Sequence, residues 1–160
     1  MNTVLEEKFN KYRNSFFKND KSYHSKRLMK NSEIEIYTKL LDIYKEQYYV
    51  FPQVALSAYI ETDVKEHNLE LFRFPDFLLC DMNFYPVAVI ELNGRTHNDD
   101  YSHLRDTSLN LILKQSQLPI IQLNIKRKIS NNLLKSTIDN IIHLHNHKTI
   151  KENYEIRTKD

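Results

Sequence analysis

In 160 residues the chain has one glycine, one cysteine, four prolines and no tryptophan. A single cysteine, Cys80, excludes an intramolecular disulfide, and its place in the apolar run "FLLC" reads as a small buried hydrophobe in a reducing compartment. Also missing is any uninterrupted apolar run near the length of a membrane span. The start "MNTVLEEKFNKYRNSFF" has acids where a secretion signal carries a basic head and a long apolar stretch. The expectation is a cytoplasmic protein with no membrane partner. No charge of one sign dominates: the formal net charge is +2, too small alone to argue for nucleic acid. Repeats and low-complexity segments are absent. Glycine ordinarily makes up about 7% of a chain; here it is kept only at Gly94, inside "VIELNGRTH".

What is present supports a packed interior. Hydrophobic residues make up 41%, including ten tyrosines and eight phenylalanines, and the length suits one domain. Basic residues are unevenly spread. Lys18, Lys21, Lys26, Arg27 and Lys30 cluster against Asp20 alone, and "KRK" at Lys126–Lys128 forms a second patch. Either patch is solvated surface or a contact for a phosphate backbone, with Lys26 and Arg27 as candidate substrate contacts.

Apolar spacing predicts a first helix over residues 3–17, then a basic arm to Asn31. Ser32 has the chemistry of an N-cap, and Glu35 completes a capping box for a second helix. Glu33 shares a stripe with Tyr37, Leu40 and Tyr44. It is either an inward-facing acid or a first-turn acid favoured by the helix dipole. Short strand-like runs follow in "YYVFPQVALSAYI", bent at Pro52, then two strands, "LFRFPDFLLC" and "PVAVIEL", joined by "DMNFY". A helix over 101–117, a strand "PIIQLNI" and a last helix over 131–147 complete the order. The expected class is α/β (α+β), a mixed sheet flanked by helices. The divisions are 1–31 (helix and arm), 32–148 (core) and 149–160 (tail), within one domain.

If the two strands pair about a centre between Asn83 and Phe84, Asp76 and Glu91 oppose each other, with Cβ atoms about 5 Å apart. Two like charges side by side in apolar strands are costly, and a bound divalent cation is the simplest offset. Carboxylate ligands suit Mg²⁺ or Mn²⁺. The alternative is an acid at a strand end, hydrated or paired with Arg73 or Arg95; a register slip of one residue would separate the two. Asn93 follows Glu91 on the same face and orients a water but carries no charge. Gly94 permits a turn or close approach of a ligand. His97 stands beyond it, suited to phosphate or to proton transfer.

These residues form an ordered set: "DF", then "IELNG", a histidine three residues later, "RD" on the next helix, and "PII". Over about Ser32 to Ile125, with "SEIEIYTKL" and "FPQV" upstream, the chain resembles the PD-(D/E)XK proteins of the restriction-endonuclease-like superfamily. Within it the chain is most similar to the very-short-patch-repair-endonuclease-like branch and a related family of uncharacterised domains. The resemblance implies an αβββαβ core with extra terminal helices. It also implies a metal held by Asp76 and Glu91, Glu33 completing or supporting the site, Gln53 and His97 as polar neighbours, and Arg105 contacting phosphate. The implied activity is Mg²⁺-dependent endonuclease chemistry, phosphodiester hydrolysis with DNA favoured over RNA as partner.

The motif's final position is lysine in many nucleases and Asn93 here, so a cationic stabiliser would come from His97, Arg95 or a second metal ion. Asn93 also supports the alternative of a catalytically inactive nuclease fold that binds nucleic acid or protein. A purely structural interaction protein ranks below both. Cutting both strands with one small site would call for a homodimer, for which no interface pattern is legible. His143 and His147, at helical spacing near a helix end, read as surface rather than as a zinc pair. Asp81, Asp99 and Asp100 read as turn formers.

Overall fold

The computed structural model describes residues 3–17, 24–63, 69–93, 100–125 and 128–157. The side chains of residues 5, 12–17, 69, 100–106 and 148–157 lie outside that description. Helix α1 spans Thr3–Phe17 and α2 Asn31–Tyr44; strand β1 is Tyr49–Pro52, β2 Phe77–Cys80 and β3 Pro86–Asn93; then come α3 Asp100–Gln115, β4 Ile120–Asn124 and α4 Asn131–Arg157. Two short 3₁₀ turns, Leu56–Ala58 and Leu69–Leu71, lie between β1 and β2.

The strands form one four-stranded sheet in the order β1-β2-β3-β4. The first two pairings are antiparallel and β3 with β4 is parallel, which requires the crossover that α3 makes. Alternation along the strands divides the core. Phe77, Leu79, Ala88 and Ile90 face one side, packed by Ile36, Leu40 and Tyr44 of α2 and by Leu134, Ile138 and Ile142 of α4. Leu78, Cys80 and Val89 face the other, packed by Leu56, Ile60 and Leu71 and by Leu109 and Leu113 of α3. With both faces covered, β2 is apolar at every position. The mixed sheet between helices is the class expected from the order of elements. Cys80 is a buried free thiol. Val4 and Phe9 of α1 are exposed. Among the described residues, no helix is long and apolar enough to cross a membrane.

Four local expectations are corrected. Helix α2 begins earlier than a Ser32 cap implies: Lys30 is its N-cap, and the Lys30 N–H donates to Glu33 Oε2 at 2.7 Å. A lysine side chain has no acceptor, so Glu33 supplies the cap's side-chain half, while Glu35 pairs with Lys39 at 2.8 Å. Strand β2 is shorter than "LFRFPDFLLC", because Pro75 has no N–H to donate and the Arg73 carbonyl accepts instead from Leu56 N–H at 2.9 Å. Helix α4 continues past His147 to Arg157. The β2–β3 hairpin is also less symmetric near its turn, where Cys80 pairs with Pro86 after a register shift.

The shift follows from the turn itself. Asp81 Oδ1 accepts the N–H groups of Asn83 and Tyr85, both at 2.9 Å, which makes Asp81 the turn former its sequence position suggests. Phe84 takes φ 65° there, and its ring stacks on Tyr49 at 4.6 Å. Scarcity of glycine thus leaves left-handed backbone to other residues, Gln53, Phe84 and Gln117.

At Gln117 (φ 54°) the geometry is a helix stop: its N–H donates to the Lys114 carbonyl at 3.2 Å and Leu118 N–H to that of Leu113 at 2.9 Å. This is a Schellman ending with glutamine where glycine is usual. Gln117→Gly is expected to stabilise the protein by about 0.5–1 kcal/mol in urea unfolding, since glycine adopts positive φ without the Cβ penalty. A loss of stability would show that the glutamine side chain contributes more than the backbone conformation costs.

Candidate functional site

The last rung of the β2–β3 ladder pairs Phe77 with Ile90. The next residue outward on β2's side is Asp76 and on β3's side is Glu91, so the two acids flank that rung in the expected register. Asp76 does not continue the main-chain ladder; its carboxylate takes over, with Oδ2 accepting Leu92 N–H at 2.7 Å. Its own carbonyl accepts Gln53 N–H at 3.1 Å. The acid is thereby held from both neighbouring strands. Gln53 itself carries φ 52°, a conformation non-glycine residues keep only where surroundings impose it.

Glu33 reaches the same place from α2. It is a buried charged residue, 9% exposed, and its second oxygen lies 3.6 Å from Lys30 Nζ. Residues Lys26, Arg27, Lys30, Glu33 and Gln53 line a cleft of about 580 Å³ beside it. Arg27 is oriented there by a 2.8 Å bond to Asn31 Oδ1. The described part of the basic arm, with Lys26, Arg27 and Lys30, therefore borders Glu33.

Burial holds the Asp76 carboxyl above the ordinary carboxylate range; the Leu92 N–H opposes this, the negative charge of Glu33 adds to it, and Lys30 opposes it. Glu91 lies on the Val89 face of β3, the face against which Tyr59 packs. Among the described residues the buried Tyr59 hydroxyl has no hydrogen-bond partner, and burial first, then Glu91, raises its pKa far above the usual range for tyrosine. Asn93 ends β3, exposed, with its amide 3.3 Å from Gln122 Oε1 on β4.

Arg95 and His97 lie outside the described residues, and so does the side chain of Arg105, whose backbone belongs to α3. The structure thus brings together Glu33, Gln53, Asp76, Lys26 and Arg27, while Glu91 follows Ile90 on β3 on the Tyr59 side, with Asn93 two residues further along. His143 and His147 are exposed on α4 with rings edge-on at 4.3 Å. Among the described residues no group of three or more histidine, cysteine, aspartate or glutamate side chains is gathered closely enough to hold a metal ion. Sequence reasoning missed Lys30 as a member of this cluster. The available signal was its position three residues before Glu33, obscured by placing the cap at Ser32.

Residues 25–141 match the family described as "Protein of unknown function (DUF2726)", and the chain belongs to that family. An uncharacterized protein of Haemophilus influenzae is 34% identical over 88 residues, covering 52% of this chain and 46% of that relative. The match therefore spans about half of either protein. No solved structure matches the chain.

The raised Asp76 carboxyl has a consequence for stability. The native protein binds that proton more tightly than the unfolded chain, so the contribution is present below the ordinary carboxylate pKa and lost as pH rises through the raised value. Asp76→Asn keeps an acceptor for Leu92 N–H. In metal-free buffer this variant is expected to melt above the wild type at pH 7.5, with the gap closing below about pH 4. A gap independent of pH would show that the charge of Asp76 is not what costs stability.

Proposed function

We propose that this chain is a metal-dependent nuclease of the PD-(D/E)XK type that hydrolyses phosphodiester bonds in DNA. The observation that carries the reading is the pair of acids one step beyond the last β2–β3 rung, one of them half-buried and pinned by a main-chain N–H. Support comes also from the order α2-β1-β2-β3-α3-β4, which is the αβββαβ order the motif resemblance implies.

The donor chemistry fits a hard divalent cation. Asp76 and Glu91 offer carboxylate oxygens and no soft ligand, and a cation would offset the burial and like-charge effects that raise the Asp76 pKa. When bound, Mg²⁺ or Mn²⁺ would polarise the phosphoryl oxygen and lower the pKa of a coordinated water. The chain's own residues perform the positioning. Leu92 N–H fixes one Asp76 oxygen, and Gln53 N–H fixes the Asp76 main chain. Glu33 supports from the start of α2, and Lys26 and Arg27 give the cleft a positive wall for a phosphate backbone. Asn93 orients water; Arg95, His97 and Arg105 take the phosphate-binding and proton-transfer roles suggested by the motif.

The test is cleavage of single- and double-stranded DNA, with RNA alongside, in Mg²⁺ or Mn²⁺. Wild type is expected to cut DNA, EDTA to abolish the activity, and Asp76→Ala or Glu91→Ala to lower it by at least about a hundredfold. Activity that survives both substitutions would overturn the site. Salt-dependent DNA binding with no metal-stimulated cleavage would instead make the chain a nuclease-fold binding module, the reading that Asn93 favours.

A further inference from the structure

The two acids and a phosphodiester are all negative, and Asn93 contributes no charge against them. Its amide lies beside Gln122 of β4 on the sheet surface. A site that brings phosphate to carboxylates needs a cation near the point of approach. Among the described residues, one that acts on the Asp76 carboxyl is Lys30, at the start of α2.

Lys30 stands at the N-cap of α2, with its backbone fixed by the N–H bond to Glu33. Its side chain is 70% exposed, lines the cleft with Glu33 and Gln53, and leaves its ammonium 3.6 Å from Glu33 Oε1. Of the other described cations near the cleft, Arg27 is bonded to Asn31, Lys39 to Glu35 and the Ile129 carbonyl, and Lys26 lines the same wall; Lys30 is the one that acts on the Asp76 carboxyl. The ammonium is solvated and 3.6 Å is a loose ion pair, and Glu33 keeps its bond from the Lys30 N–H when the flexible lysine stem swings away. Lys30 can therefore turn from Glu33 to a phosphate without disturbing the helix cap, which uses only its backbone.

We propose that Lys30 is a phosphate-binding residue of this site, holding a nucleic-acid strand at the mouth of the cleft beside Asp76 and supplying the positive charge that Asn93 lacks. The inference rests on the nucleic-acid reading above, but it concerns binding and is separable from cleavage. Lys30 also opposes the upward shift of the Asp76 carboxyl, so its field reaches the acid that the phosphate must approach.

The experiment measures binding of fluorescein-labelled single- and double-stranded DNA to the full chain across a salt series, in parallel with cleavage in Mg²⁺. Lys30→Ala, Lys30→Arg and the control Lys39→Ala are compared, each with a melting curve. Lys30→Ala is expected to weaken binding roughly fivefold or more, and to reduce the slope of log K against log salt by about 0.7–0.9, the loss of one phosphate contact. Lys30→Arg keeps the slope, and Lys39→Ala binds as wild type. Wild-type affinity and slope in Lys30→Ala would overturn the proposal and reduce Lys30 to a local partner of Glu33. If the wild type cuts DNA while Lys30→Ala binds normally, the nuclease reading stands and this one falls. If Lys30→Ala loses binding and the wild type cuts nothing, Lys30 stands and cleavage falls. A wild type that binds no DNA overturns both.

Discussion

The 2.7 Å hydrogen bond from Leu92 N–H to the Asp76 carboxylate is the contact on which the rest of the site depends. It ends the β2–β3 ladder with a side chain where a main-chain carbonyl would otherwise sit. A charge-assisted bond of this kind is short and directional, and it fixes the carboxylate in a frame set by the sheet. Because the rung below pairs Phe77 with Ile90, fixing Asp76 also fixes its relation to Glu91. Both flanking rung residues are fully buried in the cluster that α2 and α4 cover, so the acids sit at the rim of a rigid layer.

That layer also determines how Glu33 arrives. Ile36, Leu40 and Tyr44 lock α2 against the sheet, and the Tyr44 hydroxyl donates to Asp139 of α4 at 2.8 Å. With the helix held by its apolar face, its first turn falls beside β2, and Glu33 is buried there instead of being solvated. Negative charge accumulates at one end of the sheet, and the basic arm with Lys26, Arg27 and Lys30 lies next to it. Like charges collected at partial burial lower stability unless something binds, which is the usual cost of a site prepared for a cation or an anionic partner.

Much of this was legible in the sequence for a local reason. Strand residues alternate, so an acid one step before Phe77 and one step after Ile90 could be related by counting, and the Phe77–Ile90 rung has the register that the count used. The start of α2 could not be read the same way. Glu35 stands three residues after Ser32, which has the chemistry of a cap, whereas the cap that forms, Lys30, has none, so the pattern pointed two residues too late. The bulge near Pro86 was hidden because the left-handed turn position carries Phe84, and no glycine marks it. Lys30 looked like one of many basic arm residues until the helix start placed it against Glu33. The element order was clear enough to give the fold class, whereas strand ends depended on Pro75 and on which carbonyls found partners outside the ladder.

The proposed nuclease chemistry requires Asp76 and Glu91 together to hold a divalent cation. Anomalous diffraction from crystals grown with Mn²⁺ tests it most directly. An anomalous peak bonded to one oxygen of Asp76 and one of Glu91 is expected, lost in Asp76→Asn crystals grown in the same way. A peak bound elsewhere, or none between these carboxylates at saturating Mn²⁺, would contradict it.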